Sequence, residues 1–202
     1  MAVTLNASTT TGLVQSADTS GIIELQSNGT TKATVNSSGL AIGQYNPSTS
    51  LVTRGTAVSA SSTSVDFTSI PSWVKRITVM LNEVSTNGTS GTVIQIGAGS
   101  VTTSGYLSTG AGVSGAGSGV NNYTNGFGMR NDDASYVLSG HMVITNISGN
   151  IWISSHTGKV STAVGVFGGG SVTLGGVLDR VRFTTVNGTD TFDAGSINIL
   201  YE

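Results

Sequence analysis

The stretch Lys75-Arg-Ile-Thr-Val-Met-Leu-Asn82 decides the fold class. Ile77, Val79 and Leu81 stand at alternate positions, with Arg76, Thr78 and Asn82 set against them. A period of two puts successive side chains on opposite faces of a strand, one buried and one open. Val65 and Phe67 repeat the pattern upstream, and Val177, Val181 and Phe183 repeat it downstream, opposite Arg180 and Arg182. Ile197, Ile199 and Tyr201 share a face in the last strand and are expected to fill the core. Strands buried on one side belong to an antiparallel β-sandwich, jelly-roll-like in the present reading.

Working outward, no helical period occurs, and β-branched residues fall in short runs between Gly, Asn and Ser clusters, so the chain is all-β. Asn28-Gly29, Asn87-Gly88 and Asn187-Gly188 separate apolar runs and read as hairpin turns, because Asn-Gly accepts the positive φ of such turns. Asn125-Gly126 lies in a Gly-rich region and carries less information. Pro71 cannot donate to a ladder and marks a bend before a long strand expected to start near Trp73.

Two regions are expected. Residues 1–50 hold few apolar groups, among them Val14, Ile22, Ile23, Leu25, Val35, Leu40 and Ile42, and end in a linker, Tyr45-Asn-Pro-Ser-Thr-Ser50. So thin a set does not make a core alone, and self-association would supply the missing surface. Residues 51–202 form the sandwich, with about eight to ten strands on turn spacing.

Composition narrows the function. Gly, Ser and Thr number 29 each among 202 residues, and only 9% are charged. Mean hydropathy of +0.16 argues against disorder. A net charge of −2 without a basic run leaves no electrostatic footprint for nucleic acid, and no apolar run is long enough to insert into a membrane as a helix. The absence of Cys excludes a disulfide framework, a thiol nucleophile and a Cys-ligated zinc site. Met1-Ala-Val-Thr-Leu-Asn-Ala-Ser8 does not read as a secretory signal, so synthesis in a cytoplasm is expected.

Catalytic and cofactor motifs dissolve on inspection. Gly110-Ala-Gly-Val-Ser-Gly115 fits the dinucleotide fingerprint formally, but no helix follows to meet a pyrophosphate, and a flexible loop is the better reading. His141 and His156 lie fifteen positions apart, without metal-ligand spacing, and are expected on adjacent strands. No G-x-S-x-G elbow occurs. Asp132 and Asp133 are neighbours that would point apart, and Asp190-Thr-Phe-Asp193 lacks the alternating acids of a calcium loop. No catalytic residue, cofactor or metal is therefore expected.

Two stretches carry a family resemblance. Thr11-Gly-Leu-Val-Gln-Ser-Ala-Asp-Thr-Ser-Gly-Ile-Ile-Glu-Leu-Gln-Ser-Asn-Gly29 with Lys32-Ala-Thr-Val-Asn-Ser-Ser-Gly-Leu-Ala-Ile42 resembles the N-terminal repeat pattern of short bacteriophage tail fibres. Phe67-Thr-Ser-Ile-Pro-Ser-Trp73, continuing to Asn82, and the ending Phe192-Asp-Ala-Gly-Ser-Ile-Asn-Ile-Leu-Tyr-Glu202 are similar to C-terminal β-domains of phage fibres, including cyanophage-like ones. The resemblance implies a homotrimeric virion protein of the tail. Its N-terminal module, trimeric and β, would bind other phage tail proteins, and its C-terminal domain would bind a host cell-surface glycan or protein. Many fibres are longer, so a stubby fibre, a fibre tip or a decoration is implied. A capsid decoration or cement trimer, and a glycan-degrading tailspike, are the alternatives. Host contact is expected in a long Gly-rich connection from Gly105 to Asp133, which carries Tyr106, Asn121, Asn122, Tyr123, Asn125, Phe127, Arg130, Asp132 and Asp133. Aromatic faces beside amides and charges suit a sugar or protein surface, and the competing reading buries the aromatics under the loop.

Overall fold

The computed structural model describes residues 21–27, 29–42 and 52–202. Val14, Asn28, the first ten residues of the fibre-like stretch and the Tyr45–Ser50 linker lie outside the described residues. Contacts divide the chain into two compact units, Met1–Leu51 and Val52–Glu202.

The first unit holds an antiparallel meander of β1 (Ile23–Ser27), β2 (Thr30–Asn36) and β3 (Gly39–Ile42). Gly29, at φ 71°, turns β1 into β2. Register aligns Ile23, Val35 and Leu40 in one row across all three strands. These side chains, with Leu25 beside Ile23 on the same face, are 38–50% exposed.

The second unit is built from β4 (Thr53–Arg54), β5 (Val58–Ser59), β6 (Ser64–Thr68), β7 (Arg76–Thr86), β8 (Thr92–Ala98), β9 (Ser100–Val101), β10 (Leu107–Ser114), β11 (Gly117–Tyr123), β12 (Phe127–Met129), β13 (Leu138–Ser148), β14 (Ile151–Lys159), β15 (Val164–Thr173), β16 (Arg180–Thr185) and β17 (Phe192–Tyr201). Among the described residues there is no helix, and none therefore is long and apolar enough to cross a membrane. One sheet has the order β11-β10-β15-β14-β13-β7-β17-β4, with β5 also on β17, and the other β12-β8-β16-β6, with β9 on β8.

Within this unit β5 pairs with β17, β6 with β16, β7 with β13 and β8 with β12, while β7–β17 and β8–β16 complete the sheets. First strand with last, second with seventh, third with sixth and fourth with fifth is a long hairpin folded over on itself, the jelly roll. Two insertions widen one sheet. The β14–β15 hairpin, between β13 and β16, adds to β13, and the β10–β11 hairpin, between β8 and β12, adds to β15.

The inner faces supply the core. Ile77, Val79 and Leu81 of β7, Ile197 and Ile199 of β17, Met142 and Ile144 of β13, Ile94 and Ile96 of β8 and Val181 and Phe183 of β16 are buried together, with Tyr201 packed against them. Phe183 and Phe192 stack across the sheets at 4.9 Å. In β7 the buried phase changes from odd to even positions, with Val84 and Thr86 inward after Leu81. Glu83 makes the change: at φ 53° it forms a bulge, and the register against both β13 and β17 shifts there.

Several expectations change. The second unit has fourteen strands rather than eight to ten. Gly29 of the first Asn-Gly pair lies in the β1–β2 hairpin, whereas Asn87-Gly88, Asn125-Gly126 and Asn187-Gly188 lie on arches between opposite sheets. An arch spans the ~10 Å between stacked sheets, so its ends do not pair. Its Asn side chains work as braces: Asn187 Oδ1 accepts from Thr185 Oγ1, Thr189 N and Asp190 N at 2.8, 3.0 and 3.2 Å, and Asn87 Oδ1 accepts from Thr191 N at 2.9 Å. The long strand begins at Arg76, after a turn at Ser72–Trp73, and Val177 is exposed ahead of β16.

Candidate functional site

The largest correction falls on Gly105 to Asp133. Most of this segment is β10, β11 and β12, and Gly110–Gly115 runs through the end of β10 rather than a flexible loop. Tyr106, Tyr123 and Phe127 are all at most 5% exposed. They offer no aromatic face to a receptor. Tyr106 meets Phe127 edge-on at 5.0 Å, and its hydroxyl accepts from Ile96 N at 2.8 Å and donates to Ile96 O at 3.2 Å, closing the ladder of β8 where no strand covers it. Burial pushes that phenol's pKa up. Tyr123 lies on Gly128, where a Cβ would overlap its ring, so only glycine lets the two segments approach.

Three of the polar candidates meet, and three stand apart. Arg130 Nε pairs with Asp132 Oδ2 at 3.0 Å, and Asn121 Nδ2 donates to the same oxygen at 3.3 Å. The Arg130 side chain lies along Gly112 and Gly119, which have no Cβ to displace it. Asp133, exposed, accepts from Ser135 N and Oγ at 2.8 and 2.7 Å, and these bonds hold its carboxyl below the ordinary range. Asn122 is exposed on β11. Asn125 lines a cavity.

That cavity is a cleft of about 310 Å³ on the smaller sheet. Thr63 just before β6 and Ser64 on it, Gln95 on β8, Thr103 after β9, Asn125 after β11, Arg182, Thr184 and Thr185 on β16, and Val186 to Gly188 in the following arch line it. The strands set this up by alternation. Val181 and Phe183 point into the core, so Arg182 and Thr184 lie between them on the outer face, with Gln95 and Asp66 in register beside Arg182. Asp66 holds the guanidinium through two bonds, Nε to Oδ1 at 2.7 Å and Nη2 to Oδ2 at 2.8 Å, which raise the Arg182 pKa further. Amide and hydroxyl donors are turned inward: Gln95 Nε2 to Asn125 O at 2.8 Å, Asn125 Nδ2 to Val186 O at 3.1 Å and Thr184 Oγ1 to Thr63 O at 2.8 Å. The lining contains neither a carboxylate nor an aromatic ring. Such a surface can exchange hydrogen bonds with a polar ligand, and it places no acid beside a second acid.

Among the described residues no group of three or more His, Cys, Asp or Glu side chains could hold a metal. His141 and His156 lie on adjacent strands, as expected, but on opposite faces: His141 is exposed, and His156 is buried on β14 without a hydrogen-bond partner at either nitrogen. Burial pulls its pKa down to about 4. The cleft escaped sequence reading except for Asn125. The available signal was the alternation itself, which leaves Arg182 outward in a chain where charged residues are only 9%. Comparison with family profiles, curated proteins and solved structures gave no match for this chain.

Proposed function

We propose that the chain is a structural virion protein, a short homotrimeric phage tail fibre that joins the tail through residues 1–50 and recognises the bacterial surface through residues 51–202. The observation that carries the reading is the cleft: a sheet and four connections converge on hydroxyls, amides and one guanidinium, a surface for recognition. The first unit supports the oligomer. Its Ile23–Val35–Leu40 row has no second layer within the described residues of that unit, and identical copies brought together would cover it.

An antibody against the chain, applied to intact particles, tests the assignment. Label at the tail is expected, and label over the shell would make the protein a capsid decoration instead. Purified chain should also compete with particles for adsorption to the host. Its native mass should be near three times 20.3 kDa, and a stable monomer would overturn the trimer.

A further inference from the structure

We infer that the cleft beside Arg182 binds a neutral saccharide, not an anionic one. The inference rests on the recognition reading of the cleft, and it is independent of where on a particle the protein sits. Asp66 occupies Nε and one N–H of Nη2 of Arg182, which leaves Nη1 and the second Nη2 N–H to donate to a ligand and cancels most of the attraction for an anion. The rest of the lining is uncharged and can both donate and accept. One N–H of Gln95 and one of Asn125 are bonded to backbone carbonyls, which leaves each amide its second N–H and its oxygen, and Thr184 its hydroxyl lone pairs. An anion would find no unpaired cation in the lining to offset the loss of its hydration. A sugar hydroxyl, by contrast, accepts from Arg182 Nη1 and donates to an amide or threonine oxygen at once. The lack of an aromatic platform in the lining makes each site weak, in the millimolar range, and several copies on one particle would raise the effective affinity by avidity.

Saturation-transfer NMR on the full chain tests this with methyl glucoside, methyl galactoside and methyl mannoside, each against its 6-phosphate. At least one neutral hexoside should give transfer and exceed its phosphate. Arg182→Gln should weaken binding about tenfold or more, because a hydrogen bond from a charged donor is lost. Asp66→Asn should reverse the preference toward the 6-phosphates, since it frees the guanidinium. Both groups are about a third exposed or more, so neither change should unfold the protein. Thr103→Val, elsewhere in the lining, gives a second reading of the cleft that leaves the ion pair intact, and it should weaken binding as well. Tighter binding of a phosphate to the wild type, no transfer from any neutral hexoside, or undiminished binding by Arg182→Gln would each overturn the inference. Adsorption competition separates the two claims. A wild-type chain that blocks adsorption without binding any hexoside sinks only this inference, whereas one that binds hexoside without blocking adsorption sinks only the receptor reading.

Discussion

The three-stranded sheet of the first unit and the sheets of the second unit use one sequence device, apolar residues at every other position, with opposite results. In the jelly roll Ile77, Val79, Val181 and Phe183 meet a facing sheet and are buried, whereas Ile23, Leu25, Val35 and Leu40 stay 38–50% exposed. Alternation therefore specifies a face and not its cover. A strand becomes stabilising only when a second layer removes that face from water, at about 25 cal/mol per Å² of apolar surface.

The largest expected effect lies in the covered layer. Phe183→Ala removes a fully buried ring stacked on Phe192 and should cost 3–5 kcal/mol, roughly, by denaturant titration. Leu25→Ser should move the melting of the second unit by less than about 0.5 kcal/mol while lowering the native mass. Equal losses of stability from the two variants would break the contrast.

Next comes pH. His156 has a folded pKa of about 4 against an ordinary 6.5, because its buried site disfavours the cation. The unfolded chain takes up the proton first. Stability from this group is therefore complete above about pH 6.5, declines as pH falls toward 4, and is lost by about 3 kcal/mol in all. His156→Met should flatten urea stability over that interval; a wild-type profile that is already level there would show that the imidazole reaches water.

The smallest effect sharpens the account of β7. Glu83 sits at φ 53°, a conformation that costs a non-glycine residue about 1 kcal/mol. Glu83→Gly should raise stability by about 0.5 kcal/mol, the remainder being offset by the freer unfolded chain. A loss would mean that contacts of the Glu83 side chain outweigh the backbone strain.

Residues 76–86 show how much of the fold was legible. Ile77 to Leu81 announced a one-sided strand, yet nothing in Asn82-Glu83-Val84 announced the bulge that reverses its phase, because the bulge is fixed by pairing with β13 and β17. Strands β10 and β11 were hidden for a different reason. Their inward positions include Gly110, Gly112 and Gly119, chosen to admit Tyr123 and Arg130, and a reading of hydrophobic alternation scores glycine as nothing. The same blindness turned Tyr106, Tyr123 and Phe127 into surface candidates. The cleft was illegible because its residues come from β6, β8, β16 and four connections, and only the folded-over hairpin brings them together.

The two insertions in the wider sheet depend on one another in one direction only. The β14–β15 hairpin rests on β13, a strand of the jelly roll itself, while β10–β11 is held in that sheet through β15. Removing residues of β10–β11 would make β15 the new edge and uncover Gly128 and Arg130, while leaving the rest of that sheet paired. Removing β14–β15 would leave β10 without its partner strand, its ladder groups open to solvent or to another chain. A shortened version of this protein can therefore be reached by trimming from the outside inward, and the hairpin nearer the C-terminus in sequence must be the last to go.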